Sequence, residues 1–218
     1  MITVHHLNNS RSQRVLWLLE ELGIPYEIKF YQRDAQTMLA PASLLAVHPL
    51  GKSPVITDGD KTIAETGAIV SYLIETYGGG NLIPAAGTSD RLRYTYWMHY
   101  AEGSAMPYLV MKLVFQEMPK AAPAFIRPLV KLISQKVQQG FIDPNVKTNI
   151  AFWTQELAKS PYFAGSALTG ADIMMSFPIE TAQARATLSP AVTQYIEKIH
   201  ARPAYQAALK RGGAYAYA

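Results

Sequence analysis

Hydrophobic spacing changes character at Gly78-Gly79-Gly80: strand-like and helix-like periods interleave before it, and only helix-like periods follow. Ile2, Thr3 and Val4 are β-branched, and Ser10-Arg11-Ser12 introduces Val15, Leu18, Leu19 and Leu22 at helical spacing, ending at Gly23. Past Pro25, Tyr26, Ile28 and Phe30 alternate with Glu27, Lys29 and Tyr31, the period of a strand with one buried face. A βαβ unit therefore opens the chain. Residues 34–46 carry Met38, Leu39, Leu44 and Leu45, interrupted by Pro41, and read as an irregular helix. Val55-Ile56-Thr57 and Thr62-Ile63-Ala64 flank Asp58-Gly59-Asp60, the signature of a hairpin closed by an Asp-Gly turn. Glu65-Thr66 then starts a helix with Ile69, Tyr72, Leu73 and Tyr77 on one side.

The order β-α-β-α-β-β-α, a parallel unit followed by an antiparallel hairpin, predicts an α/β thioredoxin-like domain over residues 1–80. Glycine and proline concentrate in residues 78–87 and periodicity stops there, which marks a linker. Residues 90–118, 123–140, 146–160, 171–186, 190–201 and 203–211 all repeat apolar residues every three or four positions, so residues 88–218 are expected to form an all-α helical bundle. The tail, residues 212–218, is expected to fray or to dock only through Tyr215 and Tyr217. A chain of 218 residues has room for two modest cores of this kind.

Cysteine is absent, which excludes disulfides, thiolate metal sites and a protein thiol nucleophile. Sulfur chemistry must then come from a ligand. The formal charge is +4, and the basic residues are scattered among acidic ones, so no nucleic-acid footprint is expected. No apolar run is long enough to span a bilayer, and Met1-Ile2-Thr3-Val4 lacks the features of a secretory leader, so the chain is expected to be cytoplasmic, without a membrane partner. His5 and His6 are neighbours on a strand and point to opposite faces, which argues against joint metal ligation; no metal is expected.

Two local patterns leave backbone groups open to pairing, although an ordinary loop proline and a plain helix cap explain them as well. Ser53 precedes Pro54 and is driven to an extended conformation, so its backbone groups are turned outward for pairing. Glu65-Thr66 stands where a strand hands over to a helix, so free N–H groups and the positive dipole end suit a carboxylate while Glu65 suits an amine; Thr66 also suits a plain helix cap. Thr169 and Asp172 form a capping-box pattern and are read as structural.

These patterns, with Asn9-Ser10-Arg11-Ser12-Gln13-Arg14-Val15, His48-Pro49-Leu50-Gly51-Lys52-Ser53-Pro54-Val55, Ala64-Glu65-Thr66-Gly67 and Leu168-Thr169-Gly170-Ala171-Asp172-Ile173, resemble the soluble glutathione transferase superfamily, in its bacterial and fungal branch related to the theta and phi classes. The resemblance implies a cytosolic detoxification enzyme, a homodimer, which activates the thiol of its co-substrate glutathione toward a small apolar electrophile. It also implies a cis Ser53-Pro54 bond, backbone pairing of glutathione with Ser53, and its amino-acid end on Glu65 and Thr66. Lys52 substitutes for the basic residue that relatives carry where Leu39-Ala40 stand here. Glutathione-dependent peroxidase activity and a non-catalytic protein-binding module on the same fold are the alternatives.

A free thiol of pKa about 8.5 is mostly protonated at neutral pH, so the enzyme must stabilise its thiolate. The loop before the first helix offers hydroxyls, an amide and Arg11. Ser10 is the preferred donor and Asn9 its rival. Tyr108, Met111 and Phe115 form a helical stripe that suits an apolar substrate pocket and equally suits core packing. Glu102 is a candidate contact to glutathione of a partner subunit.

Overall fold

The computed structural model describes residues 1–37 and 39–217. Strands β1 (Ile2–Leu7), β2 (Tyr26–Tyr31), β3 (Val55–Asp58) and β4 (Lys61–Ala64) form one sheet in the order β2-β1-β3-β4. β1 runs parallel to β2 and antiparallel to β3, so the βαβ unit and the hairpin share β1 as their seam. Asp58 pairs with Lys61 across the turn, where Gly59 supplies the positive φ of 59° that such a short loop requires. Helix α1 (Ser12–Leu22) crosses between β1 and β2, and α2 (Thr66–Tyr77) follows β4. This is the expected thioredoxin-like domain.

The irregular helix expected at residues 34–46 is only a 3₁₀ turn at Ala42–Leu44. Local side-chain bonding explains the loss. Asp34 Oδ1 accepts from the backbone N–H groups of Gln36 and Thr37 at 3.0 and 2.7 Å, a turn that competes with helix, and Pro41 lacks a donor. Met38, part of that expectation, lies outside the described residues.

The C-terminal region is helical: α3 (Ser89–Tyr100), α4 (Met106–Ala121), α5 (Arg127–Val137), α6 (Asp143–Lys159), α7 (Gly170–Gln183), α8 (Pro190–His200) and α9 (Pro203–Gly212). Wide π-turns at Ala101–Ala105 and Gln138–Ile142 join α3 to α4 and α5 to α6, so the expected break between residues 140 and 146 is absent. Proline removes a helical donor and crowds the carbonyl four residues back. For Pro107 and Pro144 that residue is Gly103 or Gly140, inside the widened turn, where the crowding is relieved.

One hydrophobic cluster runs through both regions, joining Val4, Leu16, Ile56 and Leu73 to Trp97, Ile173 and Ile199. Helix α7 is its axis, buried from Gly170 to Ala182, and the expected capping box starts it. Asp172 accepts from the N–H groups of Thr169 and Phe163 and from the hydroxyls of Thr169 and Tyr195. Burial pushes its carboxyl above the usual range against the pull of these donors. Pro178 lies inside α7 and cannot donate to the Met174 carbonyl. Arg14 of α1, 2% exposed, takes that carbonyl with Nη1 at 2.5 Å and ties the two regions together. Arg202 binds Glu21 through Nε and Nη2 at 2.5 and 2.8 Å across the same junction.

Candidate active site

A cis Ser53-Pro54 bond immediately precedes the inner strand β3, as expected from the resemblance. Ser53 Oγ donates to the His5 carbonyl on β1 at 2.9 Å, which fixes the loop against the sheet just before β3 pairs with it. Glu65 occupies the N-cap position of α2 with φ 69° and ψ 121°, a backbone state that costs a non-glycine residue about 1–3 kcal/mol. Its carbonyl accepts from Ile69 at 2.9 Å, but no side chain caps the helix. The first N–H groups of α2 are therefore left without a side-chain acceptor, and Glu65 and Thr66 line the adjoining cavity. Strain at that junction is consistent with a functional rather than a folding constraint.

Lys52, Ser53, Pro54, Glu65 and Thr66 line one cavity of about 270 Å³, together with Arg11 and Glu102. All five expected glutathione-binding residues are thus brought together. A neighbouring cavity of about 460 Å³ shares Arg11, Lys52 and Ser53 and adds Arg33, Leu39 and Ala40. Leu39 and Ala40 do stand at that end without a charge, and the cations come from elsewhere: Lys52, Arg11 and Arg33. Arg33 was not singled out from sequence, because its relevance depends on how the chain turns after β2. Its N–H donates to Asn8 Oδ1 at 3.0 Å, which pins that turn to the loop after β1.

That loop holds both thiol-donor candidates, in different states. Ser10 is buried, its Oγ accepts from the Ser12 N–H at 3.2 Å, and it lies 2.7 Å from Ser12 Oγ and 3.5 Å from Ser53 Oγ. Ser12 Oγ lies 2.9 Å from His6 Nδ1. Burial lowers the His6 pKa against a hydrogen bond from the ring to the Gly212 carbonyl, so the ring is neutral at pH 7. With Nδ1 turned to Ser12, Nε2 carries the proton for Gly212 and Nδ1 is left as an acceptor. The chain then runs one way: Ser12 donates to His6, and Ser10 donates to Ser12. In this arrangement the Ser10 proton is committed to Ser12, whose Oγ also lies 3.4 Å from the Leu7 carbonyl.

Asn9 is exposed, with φ 49°, and its Oδ1 accepts from the backbone N–H of Ala216 at 2.9 Å. A backbone N–H can only donate, so it fixes which end of the amide is oxygen. The amide NH₂ remains as the donating end. The tail that supplies this contact is anchored on both sides. Tyr215 donates to Glu180 Oε2 at 2.6 Å, and Tyr217 accepts from Arg185 Nη2 at 3.2 Å and meets Phe177 edge-on at 5.7 Å. Ala218 lies outside the described residues. Docking of the tail through Tyr215 and Tyr217 was expected; its bond to Asn9 was not, and no local pattern signals it.

Glu102 lies between two guanidiniums, accepting from Arg11 Nε at 2.9 and 3.0 Å and from Arg14 Nη2. Burial raises its carboxyl, but Arg14 and Arg11 outweigh burial and hold it below the usual carboxylate range. Its role within the chain is thus to fix Arg11 at the cleft, where the Arg11 guanidinium also stands 5.1 Å from the Phe177 ring centre. Tyr108 meets Phe141 edge-on at 5.9 Å, and Met111 and Phe115 pack against the core. None of these three lines the two cavities around Ser53. His5 Nδ1 lies 2.9 Å from the Tyr31 hydroxyl, and among the described residues no group of three His, Asp or Glu is placed to hold a metal.

The family description "Glutathione S-transferase, N-terminal domain" matches residues 1–75. "Glutathione S-transferase 3" of Schizosaccharomyces pombe is 37% identical over 84% of this chain and 75% of its own length. "Glutathione S-transferase 1" of Saccharomyces cerevisiae is 31% identical over 98% and 96%. Among solved structures, a glutathione S-transferase from Actinobacillus pleuropneumoniae superposes with a TM-score of 0.80 at 32% identity, covering 97% of this chain and 93% of that one. A sphingomonad glutathione S-transferase complexed with glutathione gives 0.73 at 26% identity, covering 97% and 98%.

Proposed function

The chain belongs to the glutathione S-transferase family and is a glutathione transferase enzyme, and we propose that its amide at Asn9, rather than the Ser10 hydroxyl, stabilises the glutathione thiolate. The committed Ser10 proton and the oriented Asn9 amide carry this choice.

The anchors follow from the cavity that gathers Lys52, Ser53, Pro54, Glu65 and Thr66. Ser53 pairs with the cysteinyl backbone of glutathione. The N-terminus of α2 at Thr66 takes its α-carboxylate, Glu65 its amine, and Lys52 with Arg33 its glycine carboxylate. Residues 1–80 supply these anchors and residues 88–218 the wall facing the electrophile. We assign that wall to Phe177, which stands beside Arg11, and to Tyr217, which meets Phe177 edge-on, whereas Tyr108 packs on Phe141 and Met111 and Phe115 pack against the core.

Apolar electrophiles, a detoxifying role in the cytoplasm and a homodimer complete the reading. The cavity of about 730 Å³ between α2 and α3, which includes Glu65 and Glu102, is the face on which a second copy would seat. The deciding test is conjugation of an activated aryl chloride by wild type and Asn9→Ala, with a hydroperoxide assayed in parallel. Rapid conjugation by wild type that falls in Asn9→Ala supports the reading. Unaltered turnover in that variant sinks the thiolate assignment, and hydroperoxide reduction without conjugation sinks the electrophile. Sedimentation of the purified protein reads its oligomeric state.

A further inference from the structure

Away from the cleft, an open cavity of about 490 Å³ lies between α4 and α5, with Lys120, Arg127 and Lys131 exposed along it. The ionic groups in its wall are Lys120, Arg127 and Lys131; the other polar groups are glutamine amides and Ser134, and no carboxylate lines it. Lys120 has a partner nearby, Glu117, whose Oε1 lies 2.7 Å from Nζ, and Arg127 donates to the Ala122 carbonyl at 3.2 and 3.4 Å. Two full positive charges on Arg127 and Lys131 still face the cavity without a carboxylate between them. Arg127 opens α5, so the positive end of that helix adds to the same field.

Ser134 supplies the second observation. It is 1% exposed, and its Oγ has no hydrogen-bond partner. A serine inside a helix commonly bonds back to the carbonyl four residues earlier, and here it does not. A buried hydroxyl left without a partner in the floor of a polar cavity is unfavourable until something accepts from it or donates to it.

We propose that this cavity is a second ligand site, distinct from the glutathione cleft, which takes a compact oxyanion of the phosphoryl or sulfo class. Arg127 and Lys131 bind its charge, and Ser134 donates to one of its oxygens. The space falls within the ~300–1,000 Å³ typical of sites that enclose whole organic ligands, so the oxyanion can be free or the head of a small organic molecule.

Calorimetric titration of the full chain at near-physiological salt tests this, with the cleft filled by S-methylglutathione so that its cations do not compete. Inorganic phosphate and phenyl phosphate are the two probes. We expect saturable one-to-one binding, weakened about 10- to 100-fold by the paired change Arg127→Gln and Lys131→Gln, and about 3- to 10-fold by Ser134→Ala. Tighter binding of phenyl phosphate identifies an organic ligand; equal binding identifies the free anion, and both support the site. Conjugation turnover should match wild type in each variant, which certifies the fold. Absence of saturable binding by either probe overturns the proposal, as does binding that persists unchanged in both variants.

Discussion

Compared with the end of the cleft proposed to anchor glutathione, the loop proposed to meet its sulfur is assembled from parts far apart in the chain. Lys52, Ser53, Pro54, Glu65 and Thr66 lie within one hairpin and its flanks, and backbone geometry does most of their work: an extended loop, an uncapped helix start and a positive φ at Glu65. At the sulfur end, Asn9 depends on Ala216, Ser10 on Ser53, Ser12 and His6, and Arg11 on Glu102. Under the proposed roles the contrast makes binding and activation separable: binding rests on local structure, and activation on how the C-terminal region closes onto the β1–α1 loop.

Substitutions at the two ends should therefore change different kinetic constants. Asn9→Ala should lower kcat by roughly 10²–10³, the usual cost of removing one donor from a developing or stabilised anion, with the glutathione KM little altered. A parallel rise in KM would erase the division. Glu65→Ala should weaken glutathione about 10- to 100-fold in a binding titration, the worth of a charge-assisted hydrogen bond, while kcat under saturation stays near wild type.

Truncation after Gly213 removes Tyr215, Ala216 and Tyr217 and with them the bond that orients Asn9. We expect kcat to fall about 3- to 10-fold, the worth of one hydrogen bond. A less stabilised thiolate means a higher thiol pKa, so the pH profile of kcat/KM should move to higher pH. A profile that stays in place would show that the tail is packing only. The smallest effect is expected for Ser10→Ala: turnover within about threefold of wild type, with about 1 kcal/mol lost in urea unfolding from the broken hydroxyl chain. A much larger loss of turnover would return the role to Ser10.

Reading the fold from sequence worked where a period or a turn is decided by neighbours. The βαβ unit, the Asp-Gly hairpin and the capping box at Thr169 and Asp172 all appear in place. It failed at residues 34–46, where Asp34 binds its own backbone neighbours, and at residues 140–146, where a π-turn lets the helix run on past Pro144. In both places the local pattern was present but a competing backbone solution won. The proposed anchors came forward through the family resemblance and line one cavity, whereas Arg33 became a candidate only once the chain was folded.

The amino-acid sequence alone determined the order of the strands and main helices and the absence of any protein thiol, because short-range sterics and periodicity act within a few residues; Lys52 to Thr66 came forward as proposed anchors through the family resemblance. It favoured Ser10 over Asn9 as the thiol donor. The tertiary structure moves the proposal to Asn9, by bringing Gly212 to His6 and Ala216 to Asn9. Which group can donate a proton is a property of its hydrogen-bonding partners, and those partners are some two hundred residues away.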